Sequence, residues 1–97
     1  MSRSTALPQD DVQSTLHTMP LWQGDAAGIV RRIELPSFRA AIDAIVAIAD
    51  VAEEMDHHPD VDLRWRTIRV ALVSHSAGGV TELDFELARR VDALFPG

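Results

Sequence analysis

One long segment, residues 37–56, constrains the fold more than any other part of this 97-residue chain. Its sequence is helix-forming, and Arg39, Asp43, Asp50 and Glu54 fall on one narrow polar stripe. The remaining positions are apolar nearly all round, so a helix here must be covered on more than one side. A single small sheet covers only one side of such a helix. We therefore predict a homo-oligomer, a dimer or tetramer, with helix 37–56 in its interface.

Strand-like segments flank this helix in two pairs. Leu21–Gln23 and Gly28–Leu35, joined by a Gly24–Asp25 turn, form the first predicted hairpin. Residues 61–65 and 67–74 form the second, and its last strand alternates apolar residues along one face. Both pairs are close enough in sequence to lie antiparallel in a single sheet.

Two shorter helices complete the pattern. Pro8 followed by acidic residues predicts a helix that runs to about Met19. Residues 81–84 have the form of a capping box, and a stripe of Leu83, Leu87, Val91 and Leu94 follows. The order α-β-β-α-β-β-α predicts an α+β fold with three helices on one face of a four-stranded antiparallel sheet. We expect residues 1–7 to be a disordered tail and residues 8–97 to form a single domain.

Composition excludes several classes of protein. The net charge of −6 argues against nucleic-acid binding, which normally needs a basic face. The chain has no cysteine, no secretory signal pattern in residues 1–10, and no apolar run of membrane-spanning length. We expect a soluble cytoplasmic protein.

Arg64, Arg66 and Arg69 form the only basic cluster, with Arg64 and Arg66 on one strand face and Arg69 on the other. We interpret these arginines as solvated strand positions or protection of a sheet edge.

Histidines carry the chemistry that this sequence suggests. His57 and His58 follow the long helix, and Pro59 excludes His58 from helical geometry. Glu53 lies four residues before His57, a spacing that places both side chains on one helix face. His75 follows the last strand, and alternation predicts that it lies at the strand's rim, open to solvent. Because imidazole exchanges protons near neutral pH, this set predicts acid–base catalysis on a small polar heterocycle.

Three other interpretations compete with catalysis. The paired histidines would also suit the C-terminal end of a helix dipole. All three histidines together would match a zinc set, although the helical spacing His-x-x-x-His is missing. Ser74 or Ser76 with His75 and Asp84 would form a nucleophilic triad, but the Gly-x-Ser-x-Gly elbow is absent. Asp84 also completes the capping box, which alone is enough to explain it.

The order of these motifs resembles the pterin-4a-carbinolamine dehydratases. That family's pattern is a Glu, three residues, His-His-Pro, an aromatic, a Thr/Ser-His pair, a glycine turn and an Asp. Here it is matched by Ala52–Pro59, Trp65, Val70–His75 and Gly79–Asp84, and the similarity covers about residues 8–94.

The resemblance implies loss of water from a 4a-hydroxytetrahydrobiopterin adduct, which gives quinonoid dihydropterin in tetrahydropterin recycling. Functional coupling to an aromatic amino acid hydroxylase follows, and neither a metal nor an organic cofactor is implied. The expected catalytic residues are His57, His58 and His75.

Four further residues are expected to bind or orient the substrate: Glu53, Pro59, Trp65 and Asp84. The resemblance implies that Glu53 orients His57 and that Asp84 fixes His75 or the pterin. Trp65 stands where many relatives have tyrosine, so this chain lacks a phenol hydroxyl at that position.

A second function is compatible with the same fold. Similar domains serve as non-catalytic modules that dimerise transcription factors or assemble carbon-fixing enzymes. The apolar helix suits either function, whereas the complete histidine pattern favours the enzyme.

Overall fold

The computed structural model describes residues 2–97; Met1 lies outside the described residues. Three helices and four strands follow in the order α1 (Gln9–His17), β1 (Gln23–Asp25), β2 (Gly28–Glu34), α2 (Phe38–Met55), β3 (Asp60–Arg64), β4 (Thr67–Leu72) and α3 (Glu82–Leu94). A 3-10 turn, His75–Ala77, connects β4 to α3. The strands form one antiparallel sheet in the order β1-β2-β4-β3, with the helices on one face. The predicted α+β fold is confirmed.

The long helix begins and ends where the sequence predicts. Ser37 Oγ accepts a hydrogen bond from the backbone N–H of Ala40 at 3.0 Å, which is an N-cap contact. Asp56 ends the helix in the left-handed conformation, with φ of 50°. One stripe of α2 is buried against the rest of the chain: Ala41, Ala44, Ile48 and Ala52.

The opposite side of α2 remains uncovered within one chain. Val46 is 56% exposed and Phe38 is 53% exposed. We expect a second copy of the chain to bury these side chains. The structure contains one chain, so the homo-oligomer stays a prediction.

The sheet buries alternate residues against the helices. Ile68, Val70 and Leu72 of β4 are buried, as alternation predicts. On β2 the buried face includes a charged residue, Arg31, which is only 5% exposed. Its guanidinium donates to Asp92 Oδ1 at 2.6 Å and to the backbone oxygen of Phe95 at 2.5 Å. Trp22 Nε1 donates to the same Asp92 oxygen at 2.9 Å, so one carboxylate satisfies both buried donors.

The first hairpin turns two residues later than predicted. Gly24 and Asp25 belong to β1, and Ala26 and Ala27 form the turn. Asp25 Oδ1 accepts the backbone N–H of Ala27 at 2.8 Å. An aspartate that hydrogen-bonds the backbone two residues on stabilises such a turn without glycine at its centre. The predicted Gly24–Asp25 turn is therefore wrong.

The second hairpin also changes one sequence prediction. Its turn is Trp65–Arg66, Trp65 has a positive φ of 54°, and Arg64 pairs directly with Thr67. Arg64 therefore shares a face with Thr67 and Arg69, whereas Arg66 lies in the turn. The prediction that Arg69 lies opposite Arg64 is wrong, because alternation cannot be counted through a two-residue turn.

Residues near the N-terminus contact the rest of the chain, and the buried stripe of α3 differs in part from the predicted one. The backbone N–H of Leu7 donates to the Val80 carbonyl oxygen at 2.9 Å, and the Arg3 guanidinium pairs with the Glu86 carboxylate. The disordered tail 1–7 stays a prediction; its first residue, Met1, is not described. On α3 the predicted Leu94 is 40% exposed, and Phe85 and Ala88 are buried instead. Among residues 2–97, no helix has the length and apolar character needed to cross a membrane.

Candidate functional site

The end of α2, the end of β4 and the start of α3 meet at one end of the sheet and line a pocket. Its volume is about 310 Å³, and its lining includes His57, His58, His75, Ser74, Ser76 and Leu83. The structure therefore brings together the three histidines that the sequence predicted.

A reversal of the backbone after α2 sets the direction of the two adjacent histidines. The backbone N–H of His57 donates to the Ala52 oxygen at 3.0 Å, and that of Asp56 to the Glu53 oxygen at 3.2 Å. This pair of bonds is a Schellman motif, which requires the left-handed conformation observed at Asp56. Residues four positions apart share a helix face only while both are helical. His57 lies beyond the end of α2, so it does not share a face with Glu53.

Asp84 is the partner of His57. Asp84 Oδ1 lies 2.6 Å from His57 Nε2, and the Asp84 side chain is fully buried. Its other oxygen, Oδ2, accepts the Ser74 hydroxyl at 2.8 Å and the Thr81 backbone N–H at 2.8 Å. Because this carboxylate acts as an acceptor towards Ser74 and Thr81, we assign the His57 bond as Nε2–H donating to Oδ1. Nδ1 of His57 is then the ring nitrogen that carries the free lone pair.

The predicted role of Asp84 is thereby corrected in one respect and kept in another. Asp84 completes the capping box of α3 together with Thr81, as predicted. It bonds His57 and not His75, the histidine that the resemblance implied, and a contact between Asp84 and the pterin stays a prediction. The reason is that Asp84 Oδ1 meets His57 at the end of α2, while Oδ2 is already occupied by Ser74 and Thr81.

Glu53 pairs with the other histidine of the doublet. Its Oε2 lies 2.5 Å from His58 Nε2, and both side chains are mostly exposed. The predicted pairing of Glu53 with His57 is therefore wrong, because the reversal at Asp56 brings His58 back towards the last turn of α2.

His75 lies at the solvent-exposed rim that alternation predicts. Its side chain is 80% exposed, and its Nε2 is 3.9 Å from Asp60 Oδ2. That distance is too long for a hydrogen bond, although the carboxylate would attract a protonated ring. His75 is thus the most accessible of the three imidazoles.

None of the four residues predicted to bind or orient the substrate lines this pocket, although Glu53 and Asp84 each hydrogen-bond one of its histidines. Trp65 is at the far end of β3, 72% exposed, with the Arg66 guanidinium 4.7 Å from its ring centre. The five residues of β3 span roughly 16 Å, so Trp65 does not reach the histidines of its own chain. Pro59 lines a neighbouring apolar groove of about 430 Å³, which also contacts Glu53 and His58.

The structure adds two residues that the sequence did not assign to the site. Ser74 and Thr81 hydrogen-bond each other at 2.8 Å, and both bond Asp84. Ser74 is buried and donates to Asp84, not to His75, so the triad considered for it does not form. A serine directly before His75 was the sequence signal available for Ser74, but only the tertiary structure shows that its partner is Asp84.

The zinc alternative gains no support, since residues 2–97 contain no group of three or more ligand-type side chains arranged around a common point.

Comparison with known proteins identifies the family of this chain. The family model described as pterin 4 alpha carbinolamine dehydratase matches residues 5–94. A relative from Mycobacterium tuberculosis strain H37Rv is 48% identical over 90 residues, which are 92% of this chain and 95% of the relative. One from Mycolicibacterium smegmatis is 43% identical over 88 residues, 91% and 94% of the two chains. Both relatives are provisionally named pterin-4-alpha-carbinolamine dehydratase.

Two solved structures share the fold. A transcriptional coactivator/pterin dehydratase from Brucella melitensis superposes with a TM-score of 0.87 and 30% identity over 93% of this chain and 98% of that chain. A pterin dehydratase-like protein, identified as a RuBisCO assembly factor in the alpha-carboxysome, gives a TM-score of 0.63 and 25% identity over 78% and 88% of the two chains. With the family model matching nearly the whole chain, this protein belongs to the pterin-4α-carbinolamine dehydratase family.

Proposed function

We propose that this protein is a hydro-lyase that removes water from 4a-hydroxytetrahydrobiopterin to give quinonoid dihydropterin. The observation that carries the proposal is the single pocket lined by His57, His58 and His75, with two of the imidazoles each held by a carboxylate. In a cell, the reaction would recycle the tetrahydropterin that an aromatic amino acid hydroxylase has consumed, and we expect it to occur in the cytoplasm.

The chemistry requires one proton donor and one proton acceptor. Hydroxide is a poor leaving group, so an acid must protonate the oxygen on C4a as the C–O bond breaks. A base must remove the proton from the neighbouring ring nitrogen, whose electron pair then forms the new double bond. The proton given and the proton taken balance, and water is the product.

The hydrogen bonds suggest how these roles are divided. Because Nε2–H of His57 donates to the buried Asp84, Nδ1 of the neutral ring carries the lone pair that can accept the proton from the pterin nitrogen. His58 and His75 are more exposed than His57, with 54% and 80% of their side chains accessible, so solvent can return a proton to either ring. We assign the proton donor to this pair. The pocket volume of about 310 Å³ is at the small end of the roughly 300–1,000 Å³ typical of ligand sites, which suits one bicyclic ring.

A direct rate measurement tests the assignment. The substrate is 4a-hydroxytetrahydrobiopterin generated immediately before use, and its spontaneous water loss supplies the baseline. Wild-type protein should accelerate the reaction, and His57→Ala or His75→Ala should each lower the enzymatic rate by about 10²–10⁴-fold.

A matched control separates catalysis from general effects of losing an imidazole. His17 is exposed on α1, far in sequence from the pocket, and His17→Ala should leave the rate unchanged. Wild-type rates in both pocket variants would remove the catalytic assignment.

A second function, as a protein-binding or assembly module, is favoured by a different observation. The outer side of α2 leaves Phe38 and Val46 more than half exposed, and such apolar side chains suit an interface. We propose that a second copy of the chain covers this side, through helix 37–56, in a dimer or tetramer. If a non-catalytic role is the true one, the protein will associate normally and yet fail to accelerate water loss.

A further inference from the structure

The face of the sheet that points away from the helices carries a second polar cavity. Its volume is about 320 Å³, and it is lined by Arg32, Asp62, Arg64, Thr67 and Arg69. These residues alternate along their strands with buried ones such as Ile33 and Ile68, which face the helices. The cavity shares no lining residue with the histidine pocket.

The strand register concentrates positive charge in this cavity. Arg32 of β2 is directly opposite Arg69 of β4, and Arg64 of β3 is opposite Thr67. Like charges placed directly opposite each other on neighbouring strands destabilise a sheet. A bound anion would relieve the repulsion between Arg32 and Arg69, so this pair is a candidate anion site.

Neutralisation from within the chain is incomplete. Asp62 is the one carboxylate in the lining, and its Oδ2 is 3.7 Å from Arg69 Nη1. Arg32 and Arg64 make no ion pair with any residue in 2–97. The lining thus carries two positive charges in excess, although the whole chain has a net charge of −6.

We propose that this cavity binds the phosphate monoester group of a small molecule. Guanidinium groups present paired N–H donors that match phosphate oxygens, and the Thr67 hydroxyl adds a neutral donor. A phosphate monoester carries close to two negative charges above its second pKa of about 6, which balances the excess charge of the lining. A single carboxylate would balance only half of it. The cavity volume is that of a small-molecule site rather than of an extended groove.

The test uses two probes of the same shape and different charge. Phenyl phosphate, a dianion at pH 8, and phenyl sulfate, a monoanion, are titrated into the full chain at low salt, and amide signals are followed by ¹H–¹⁵N NMR. Phenyl phosphate should shift the signals of residues 32, 64, 67 and 69 and bind at least about tenfold more tightly than phenyl sulfate. Arg32→Gln and Arg69→Gln should each weaken phenyl phosphate binding about tenfold or more.

Arg39→Gln is the matched control, since Arg39 is exposed on α2 and outside the cavity. It should leave phenyl phosphate binding unchanged. An absence of shifts at millimolar phenyl phosphate, or equal weakening by Arg39→Gln, would overturn the proposal. So would a phosphoserine peptide that binds at least tenfold more tightly than phenyl phosphate, because the ligand would then be a protein.

These outcomes are independent of the dehydratase assignment. Neither Arg32 nor Arg69 lines the histidine pocket, so water loss from the carbinolamine should proceed at the wild-type rate in both Arg32→Gln and Arg69→Gln. Both positions are on an open sheet face, so we expect the variants to fold, which circular dichroism will establish before the titrations.

Discussion

Replacing Asp84 with asparagine keeps the shape of the side chain and removes one of its two acceptor oxygens. In the wild type, Oδ2 accepts Ser74 Oγ–H and the Thr81 backbone N–H, both at 2.8 Å, while Oδ1 faces His57 Nε2 at 2.6 Å. The asparagine carbonyl will take the position of Oδ2, because two donors converge there. Its amide N–H then points at His57, whose Nε2 must accept. The ring proton moves to Nδ1, and the proposed base becomes a donor.

The expected magnitudes follow from these contacts. The three charge-assisted hydrogen bonds that the carboxylate accepts become neutral, while the cost of burying a charge is removed, so the free energy of unfolding should fall by about 1–2 kcal/mol. For a chain of this size that corresponds to a Tm lower by roughly 5–15 °C. The rate should fall about 10²–10⁴-fold, the usual contribution of general acid–base catalysis. A carboxylate-to-amide change beside the histidine of a serine protease triad costs roughly 10⁴-fold through the same reversal of tautomer.

Ser74→Ala is the control for this prediction. It removes one donor to Oδ2, which should also destabilise the fold by about 1 kcal/mol, but it leaves the His57–Asp84 bond in place. The rate should then change less than about tenfold. Stability is measured by urea unfolding, turnover by water loss from 4a-hydroxytetrahydrobiopterin, and the tautomer by the ¹⁵N shifts of the His57 ring. An Asp84→Asn variant with wild-type turnover, or one whose His57 proton remains on Nε2, would refute the reasoning.

Arg31→Met should lower the free energy of unfolding by about 2–3 kcal/mol in urea, because it leaves Asp92 half-buried without its guanidinium partner; a loss below about 0.5 kcal/mol would contradict this. The side-chain hydrogen bond from Arg3 lowers the pKa of Glu86, so this contact is present above the ordinary glutamate pKa and is lost as the pH falls through the lowered value. Arg3→Gln should raise the Glu86 pKa towards 4.5 in a carboxyl NMR titration, and an unchanged pKa would show that Arg3 is not the cause. Val46→Asp should dissociate the oligomer in sedimentation with little change in the stability of one chain, whereas a wild-type protein that sediments as a monomer would disprove the interface.

Local signals in the sequence were sufficient for the secondary structure and its order. The cap at Ser37 and the capping box at Thr81 each depend on residues no more than three positions apart. The buried face of β4 follows from simple alternation, because side chains on a strand point to opposite faces in turn. The prediction failed where a turn intervened. The position of the first turn depends on one Asp25 side-chain bond, and the face of Arg64 depends on the register across the second turn.

The combined motif from Glu53 to Asp84, with its three histidines, was enough to indicate the family, since it is a matter of residue type and order. Which carboxylate holds which imidazole was decided only by the tertiary structure. His57 and Asp84 are 27 positions apart and meet because α2 and α3 pack side by side. The left-handed residue Asp56 turns His58, rather than His57, towards Glu53. A spacing rule for one helix describes neither event, because the first joins two helices and the second occurs after the helix has ended.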